Sequence, residues 1–266
     1  MKNFLHWSKY QFKWQLKTVL SWTIILGLMS ALIGWAYKPF SESGYFEMLN
    51  ELPDYMVKSF TGGSEMAASL EGFLSMEYFS WMGLAFAFFT FVVGARAIAG
   101  EIEGGTYDPL VPKPFSRQSF FWGKYLVYAT YTVGLIMVNL LFLGVGLKLV
   151  GSGLAILTWA RLFGLTSLSV LTFLGLSFFL SALFDNSEMA MKTAIGIGLV
   201  QYLVNMIANA VSRPAWAEWT VSHHANTGEI FNGGSLPLGS ALFLVALWFV
   251  FTVGGAIIFE KKDISE

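Results

Sequence analysis

The stretch AIAGEIEGGTYDPLVPKPFSRQSFFWGK, residues 97–124, is a long polar break between two apolar blocks of the chain. Residues 79–93 precede it and residues 125–147 follow it, and both blocks consist mostly of aliphatic and aromatic side chains. The break also contains helix-disrupting residues, which are Gly104, Gly105, Pro112 and Pro114. Because glycine and proline both disfavour the interior of a helix, we do not expect residues 97–124 to form one smooth helix.

The composition indicates an integral membrane protein. Of the 266 residues, 55% are apolar, 17% are aromatic and only 12% are charged, whereas soluble domains carry about 25% charged residues. The net charge of −1 and the lack of a basic tract or zinc-ligand spacing give no indication of nucleic-acid binding. The chain has no cysteine, which excludes disulfides, thiol catalysis and thiolate metal sites.

Six apolar stretches are long enough to cross a membrane, because about 20 helical residues at 1.5 Å each span a hydrocarbon core of about 30 Å. The sequence therefore predicts an all-α membrane protein with six transmembrane helices in a single domain, residues 1–266. The predicted spans are residues 19–37, 78–96, 122–147, 159–183, 193–211 and 236–259.

The segment before the first span has a basic face. On a helix, five residues fall within an arc of about 80°, and these are Lys2, His6, Lys9, Lys13 and Lys17. This pattern predicts an N-terminal elbow helix, residues 1–17, that lies in the membrane interface with its basic face toward lipid headgroups. The alternative is a cytoplasmic extension of the first span.

The segment between the first two spans, residues 40–77, is polar and acidic but retains apolar residues. We expect one or two short amphipathic helices on the outer surface, broken at Pro53 and at Gly62-Gly63.

Basic residues in the loops indicate the orientation of the chain. One side receives eleven of them: Lys2, Lys9, Lys13, Lys17, Arg96, Lys113, Arg117, Lys124, Lys192, Lys261 and Lys262. The other side receives five: Lys38, Lys58, Lys148, Arg161 and Arg213. This asymmetry predicts cytoplasmic termini and a cytoplasmic 97–124 segment in a multi-pass protein of the bacterial cell membrane.

The chain contains no motif for catalysis or nucleotide binding: H-E-x-x-H, G-x-S-x-G and G-x-x-x-x-G-K-[ST] are all absent. We therefore predict that it is not an enzyme and has no catalytic, cofactor or metal site. The His223-His224 pair is a poor metal site because adjacent side chains rarely face one ligand. The predicted spans are almost free of ionisable residues, which argues against ion coupling and for an energy source outside the membrane.

Amides supply the polarity within the predicted spans. Asn139 lies in the third span, whereas Gln201, Asn205 and Asn209 recur every four residues along the fifth. Two interpretations remain open for these four residues: a polar pathway that faces a substrate, or interhelical hydrogen bonds worth about 0.6 to 2 kcal/mol each. Small residues predict close helix packing in the fifth and sixth spans, and these are Gly196, Gly198, Gly254 and Gly255.

The polar break resembles the membrane permease subunits of type-2 ABC exporters. The resemblance rests on Glu101-x-Glu103-x-Gly-Thr106, Pro112 and Pro114, Ser116-Arg117, and Gly123-Lys124 at the entry to a span. Three further features match the family: Glu51-Leu-Pro53 with Phe60-Thr-Gly62, the acidic turn at residues 185–188, and the ending Phe259-Glu-Lys-Lys-Asp263-Ile264.

The resemblance implies pairing with a second permease, identical or homologous, and with a cytoplasmic ABC ATPase dimer that holds ATP and magnesium. It also implies a coupling helix at about residues 97–110 that contacts the ATPase. Its candidate contact residues are Glu101, Glu103, Thr106, Asp108 and Arg117. The alternative is an ordinary cytoplasmic loop whose Arg117 and Lys124 only set topology and bind lipid headgroups.

The expected function is ATP-driven export of an amphipathic or lipophilic substrate, such as an antimicrobial peptide, a lipid or a drug. Asn139, Gln201, Asn205 and Asn209 are the candidate pathway residues. One alternative is a non-transporting immunity or sensor protein that binds a toxic peptide on its acidic outer surface. A less favoured alternative is an ion-coupled carrier, which requires a carboxylate or an ion site within the membrane.

Overall fold

All the regular secondary structure that the computed structural model describes is helical. The description covers residues 2–51, 53, 55–56, 69–105, 116–233 and 235–262, without the side chains of residues 2–15, 49–50 and 232–233. Six helices in this part of the chain are long and apolar enough to cross a membrane. The predicted fold class and number of spans are thus confirmed.

The six spans are Leu16–Glu42, Leu70–Glu103, Arg117–Leu149, Ile156–Leu183, Ser187–Ala210 and Leu238–Lys261. Within the second span, a π-helix at Leu74–Phe79 separates the α-helices Leu70–Phe73 and Ser80–Ala95, and a short helix at Ala99–Glu103 follows.

Capping residues explain why three helices begin before their apolar stretches. The hydroxyls of Ser69 and Ser116 accept hydrogen bonds from the first turns of the second and third spans, at 3.0 and 3.1 Å. The side chain of Asn186 caps the fifth span in the same way, with a 2.8 Å hydrogen bond from a backbone N–H. A cap satisfies backbone donors that have no partner within the helix, so helix starts depend on polar residues that hydropathy does not detect.

The basic N-terminal segment and the first span form one uninterrupted helix, Lys2–Glu42, so the elbow is not a separate helix. The location of this basic segment in the membrane interface, or in the cytoplasm as the alternative has it, stays a prediction. No glycine or proline occurs from residue 2 to residue 26, so nothing in the local sequence ends the helix there. The same helix continues past Pro39, which removes only one backbone donor near its end.

Between the first two spans, the structure describes the helix Tyr45–Glu51 and helical backbone at residues 55–56, on either side of Pro53, and the predicted break at Gly62-Gly63 lies outside the described residues. Phe46 is buried against Tyr37 of the first span, and the Tyr45 hydroxyl donates to Glu77 of the second. Burial raises the pKa of Tyr45, and the hydrogen bond to Glu77 raises it further. This helix is therefore attached to the ends of the first two spans.

The spans alternate in direction, so the described chain begins and ends on the same side, which we call the terminal side. Glycines bring parallel spans into close contact. A Cβ atom at Gly146 in the third span would lie 2.1 Å from the carbonyl oxygen of Ala31 in the first. One at Gly255 in the sixth span would lie 3.0 Å from Cα of Phe179 in the fourth, which agrees with the predicted close packing. Gly196 does not pack closely, because no described atom lies within 4 Å of its Cβ position.

The fourth span is the most buried of the six, whereas the first, fifth and sixth are the most exposed. The large apolar side chains that these outer helices expose are mostly leucine, isoleucine and valine, which suit contact with lipid. The connection between the fifth and sixth spans folds as a 3₁₀-helix, Pro214–Ala217, and two short α-helices, Val221–His224 and Gly228–Gly233.

Candidate functional site

On the terminal side, the chain turns from the second span into the short helix Ala99–Glu103, which we call the 99–103 helix. Ser181 of the fourth span holds this turn. Its buried hydroxyl accepts hydrogen bonds from the N–H groups of Ile98 and Ala99, at 3.0 and 2.9 Å, and donates one to Ala95 at 2.7 Å. One serine thus satisfies backbone groups at the end of one helix and the start of the next. The sequence analysis did not identify Ser181, because the serine lies some 80 residues further along the chain.

A buried ion pair joins the 99–103 helix to the third span. Lys124 is only 1% exposed; its Nζ donates to the carbonyl oxygen of Ala97 at 2.8 Å and forms an ion pair with Glu101. The ring of Phe120 lies 5.1 Å from the same ammonium group. Removing an ammonium from water is costly, so its position depends on these partners. The alternative that Lys124 only sets topology and binds headgroups is therefore wrong.

A second carboxylate joins the 99–103 helix to the fifth span. Glu103 accepts hydrogen bonds from the side chain of Asn186 at 2.9 Å and from the N–H and hydroxyl of Ser187 at 3.0 and 2.6 Å. These groups form the first turn of the fifth span, where the helix dipole also favours a negative charge.

The end of the sixth span is attached to the third and fourth spans. Nζ of Lys262 donates to carbonyl oxygens at the end of the fourth span, including that of Phe184 at 2.9 Å, and pairs with Asp185 at 2.8 Å. The guanidinium of Arg117 donates to the carbonyl oxygen of Lys262, and the side chain of Gln118 donates to the Glu260 carboxylate at 2.8 Å.

The predicted coupling residues that the structure describes therefore lie together on the terminal side. Glu101 bonds the third span, Glu103 bonds the fifth, and Arg117 bonds Lys262 at the end of the sixth. Thr106 and Asp108 lie outside the described residues.

On the opposite side, a cavity of about 110 Å³ lies between the second, fourth and fifth spans, beneath residues 222–227. Two rings line its deeper end, those of Phe91 and Phe173, which meet edge to face with centroids 5.4 Å apart. None of the described lining residues is charged. The polar ones are Ser75, Ser80, Ser169, Tyr202, Asn205, Asn209, Ser222, Asn226 and Thr227.

The four amide residues do not act as one set. Asn205 and Asn209 line the cavity, and Oδ1 of Asn205 is buried with no hydrogen-bond partner among the described residues. Asn139 is buried elsewhere, where its Oδ1 accepts from Ser30 at 3.1 Å, and Gln201 accepts from the backbone N–H of Val221 at 2.8 Å. The contacts of Asn139 and Gln201 are those of the interhelical interpretation.

The two histidines near the cavity make contacts within the chain. Nε2 of His224 lies 2.7 Å from the carbonyl oxygen of Glu218, and its ring stacks on Phe243 with centroids 4.0 Å apart. Burial lowers the pKa of His223, and the adjacent His224 lowers it further. His224 thus attaches the connecting segment to the sixth span.

The comparisons with known proteins agree with the resemblance noted above. The family model described as "ABC-2 family transporter protein" matches residues 16–264. The chain is also similar to the uncharacterized protein YhcI of Bacillus subtilis (strain 168), with 25% identity over 206 residues. The matched region covers 66% of this chain and 64% of YhcI, so the match spans less than two thirds of that relative.

Proposed function

The chain belongs to the ABC-2 family of transporter proteins and is a membrane permease subunit; from this premise, we propose that it exports an amphipathic or lipophilic substrate. A separate cytoplasmic ABC ATPase dimer supplies the energy, and a second permease, identical or homologous, completes the assembly. Both termini face the cytoplasm in this proposal, and the plasma membrane is that of a bacterium. ATP and magnesium bind the partner, since this sequence contains no phosphate-binding loop.

The observation that carries the proposal is the attachment of the 99–103 helix to two spans at once. Glu101 joins it to the third span through the buried ammonium of Lys124, and Glu103 joins it to the fifth span through Ser187 in the first turn of that span. A displacement of the 99–103 helix therefore shifts the terminal ends of both spans. Hydrogen bonds and ion pairs between packed helices are among the contacts that carry coupling between distant sites.

These contacts also refine the role of each coupling residue. In our proposal, residues 97–110 contact the ATPase, with Thr106 and Asp108 in its binding groove. Glu101 and Glu103 position the 99–103 helix, because their carboxylates already bond other spans. Arg117 transmits the displacement to the sixth span through its hydrogen bond to the Lys262 carbonyl oxygen.

The cavity on the opposite side supports the proposed class of substrate. It has polar walls and an aromatic inner end, and none of its described lining residues carries a charge. A proton-coupled carrier typically keeps a carboxylate within the membrane, and none of the described lining residues is an aspartate or a glutamate.

Co-purification with an ATPase tests the proposal. We expect the tagged chain, extracted from its native membrane in mild detergent, to retain an ATP-hydrolysing subunit and to transport only with ATP after reconstitution. The variant Glu103→Lys should keep the partner but lose transport-coupled hydrolysis. Glu188→Lys is the matched control, because it reverses an exposed charge on the same side, and that carboxylate pairs with the exposed Lys192 at 2.7 Å.

Two results would remove the proposal. One is ATP-independent transport by the purified chain alone, and the other is unchanged coupling in Glu103→Lys.

A further inference from the structure

We infer that the cavity and an adjoining apolar groove form one binding site for an amphiphile with an uncharged, hydrogen-bond-donating head and an apolar chain. The groove has a volume of about 320 Å³, and its described lining is wholly apolar: Trp22, Trp81, Leu84, Ala85, Phe88, Phe91, Ile195 and Leu199. The inference rests on the proposed function and deepens it, because it names the chemical class of the exported substrate.

The two compartments are neighbours that share a wall. Leu84 and Phe91 of the second span line both the cavity and the groove. The Phe91 ring is held in place from the fifth span, since a Cβ atom at Gly198 would lie 2.5 Å from it. In our inference, one molecule lies across this wall, with its head in the cavity and its chain in the groove.

The cavity selects the chemistry of the head. Oδ1 of Asn205 is a buried acceptor with no hydrogen-bond partner among the described residues, which is uncommon in folded proteins. A hydroxyl or amide N–H from a ligand would satisfy it, and Asn209 adds a second amide to the same wall. A charged head would lose its hydration without gaining a counter-charge from the described lining, which disfavours it.

The groove selects the rest of the ligand. It lies on the outer surface of the first, second and fifth spans, where Trp81, Phe88 and Leu199 are all exposed. Lipid chains contact this surface in a membrane, so an apolar chain enters the groove from the bilayer without crossing water. The aromatic rings of Trp22 and Phe88, with centroids 6.4 Å apart, form part of its wall.

Local backbone geometry places polar groups at the mouth of the cavity. Ser75 and Phe79 line the cavity from the π-helix Leu74–Phe79, and Ser80 follows directly. The hydroxyl of Ser80 donates to the Ser75 carbonyl oxygen at 2.8 Å, across the end of this π-helix. Single π-helical turns occur frequently at functional sites, because they shift the register of a helix locally.

Photolabelling in proteoliposomes without an ATPase tests the inference. The probe is a monoacylglycerol with a diazirine in its acyl chain, and the matched probe is the fatty acid with the same chain and a carboxylate head. We expect the monoacylglycerol to label groove residues and the carboxylate probe to label them several-fold less. Asn205→Leu should reduce the labelling about fivefold, as expected for one net hydrogen bond.

The control variant is Thr130→Val, which removes an exposed hydroxyl in the third span that bonds its own helix. It should leave labelling of the groove unchanged. Gly198→Ala, which displaces the Phe91 ring, should also reduce labelling if Asn205→Leu proves unstable. The inference would be overturned if both probes labelled all lipid-facing helices equally and if neither Asn205→Leu nor Gly198→Ala changed that labelling.

The assay separates this inference from the proposed function because it requires no ATP. Selective labelling without ATP-dependent transport would retain the site and remove the export proposal. ATP-dependent transport without selective labelling would retain the export proposal and remove the proposed binding site.

Discussion

Replacement of Glu101 by alanine should destabilise the protein strongly, because it leaves the Lys124 ammonium buried without a counter-charge. Lys124 is 1% exposed, and the remaining described hydrogen bond of its Nζ is to the Ala97 carbonyl oxygen at 2.8 Å. Removing one partner of a buried ion pair costs about 3–5 kcal/mol. That is a large share of the roughly 5–15 kcal/mol by which folded proteins are stable.

Lys124→Met should cost less than Glu101→Ala. It removes the buried charge and retains much of the side-chain volume, and the Glu101 side chain, 20% exposed, then has access to water. The remaining cost is the unpaired carbonyl oxygen of Ala97, about 1–3 kcal/mol. In the double variant, the loss of Glu101 adds little, so the two costs should fall short of additivity by about 3–5 kcal/mol, which is the cost of Glu101→Ala alone.

The assay is equilibrium unfolding in mixed micelles, followed by the fluorescence of the ten tryptophans. The control is Glu188→Ala, which breaks an exposed ion pair with Lys192 and should cost less than about 1 kcal/mol. Either of two results would refute the argument. One is that the losses in unfolding free energy for Glu101→Ala and Lys124→Met add up in the double variant, and the other is that Glu101→Ala costs no more than the control.

Three further substitutions, two of them with a matched control, test the packing of the spans by the same measurement. Gly146→Ala should destabilise by about 1–3 kcal/mol because its Cβ would lie 2.1 Å from a first-span carbonyl oxygen, whereas Gly144→Ala, with 3.7 Å to its nearest neighbour, should not. Ser181→Ala should cost about 1–3 kcal/mol, since it leaves two buried N–H groups without their acceptor. Asn139→Leu should cost about 0.6–2 kcal/mol through lost interhelical bonds, but Asn205→Leu should cost nothing, because it removes an acceptor with no described partner. Equal costs for the two asparagine variants would contradict the separation of packing from cavity-lining roles.

The sequence predicted the transmembrane architecture because membrane crossing is a local property. About 20 consecutive apolar residues suffice, whatever lies beside them in space. The same reasoning located the polar segment that contains the 99–103 helix, since glycine and proline act on their own stretch of chain. It placed the first helix boundary incorrectly, because the basic face of residues 2–17 shows which side meets headgroups but not where the helix ends.

Contacts between residues far apart in the chain decided the roles of the polar side chains. The burial of Lys124 depends on Glu101 and Ala97, and the separation of Asn205 from Asn139 and Gln201 depends on which helices surround each amide. Hydropathy and spacing are computed along one segment, whereas hydrogen bonds and close contacts form between segments whose relative positions only tertiary packing determines. The sequence alone therefore determined that six helices cross the membrane, and the tertiary structure alone determined which of their polar residues join helices and which line a cavity.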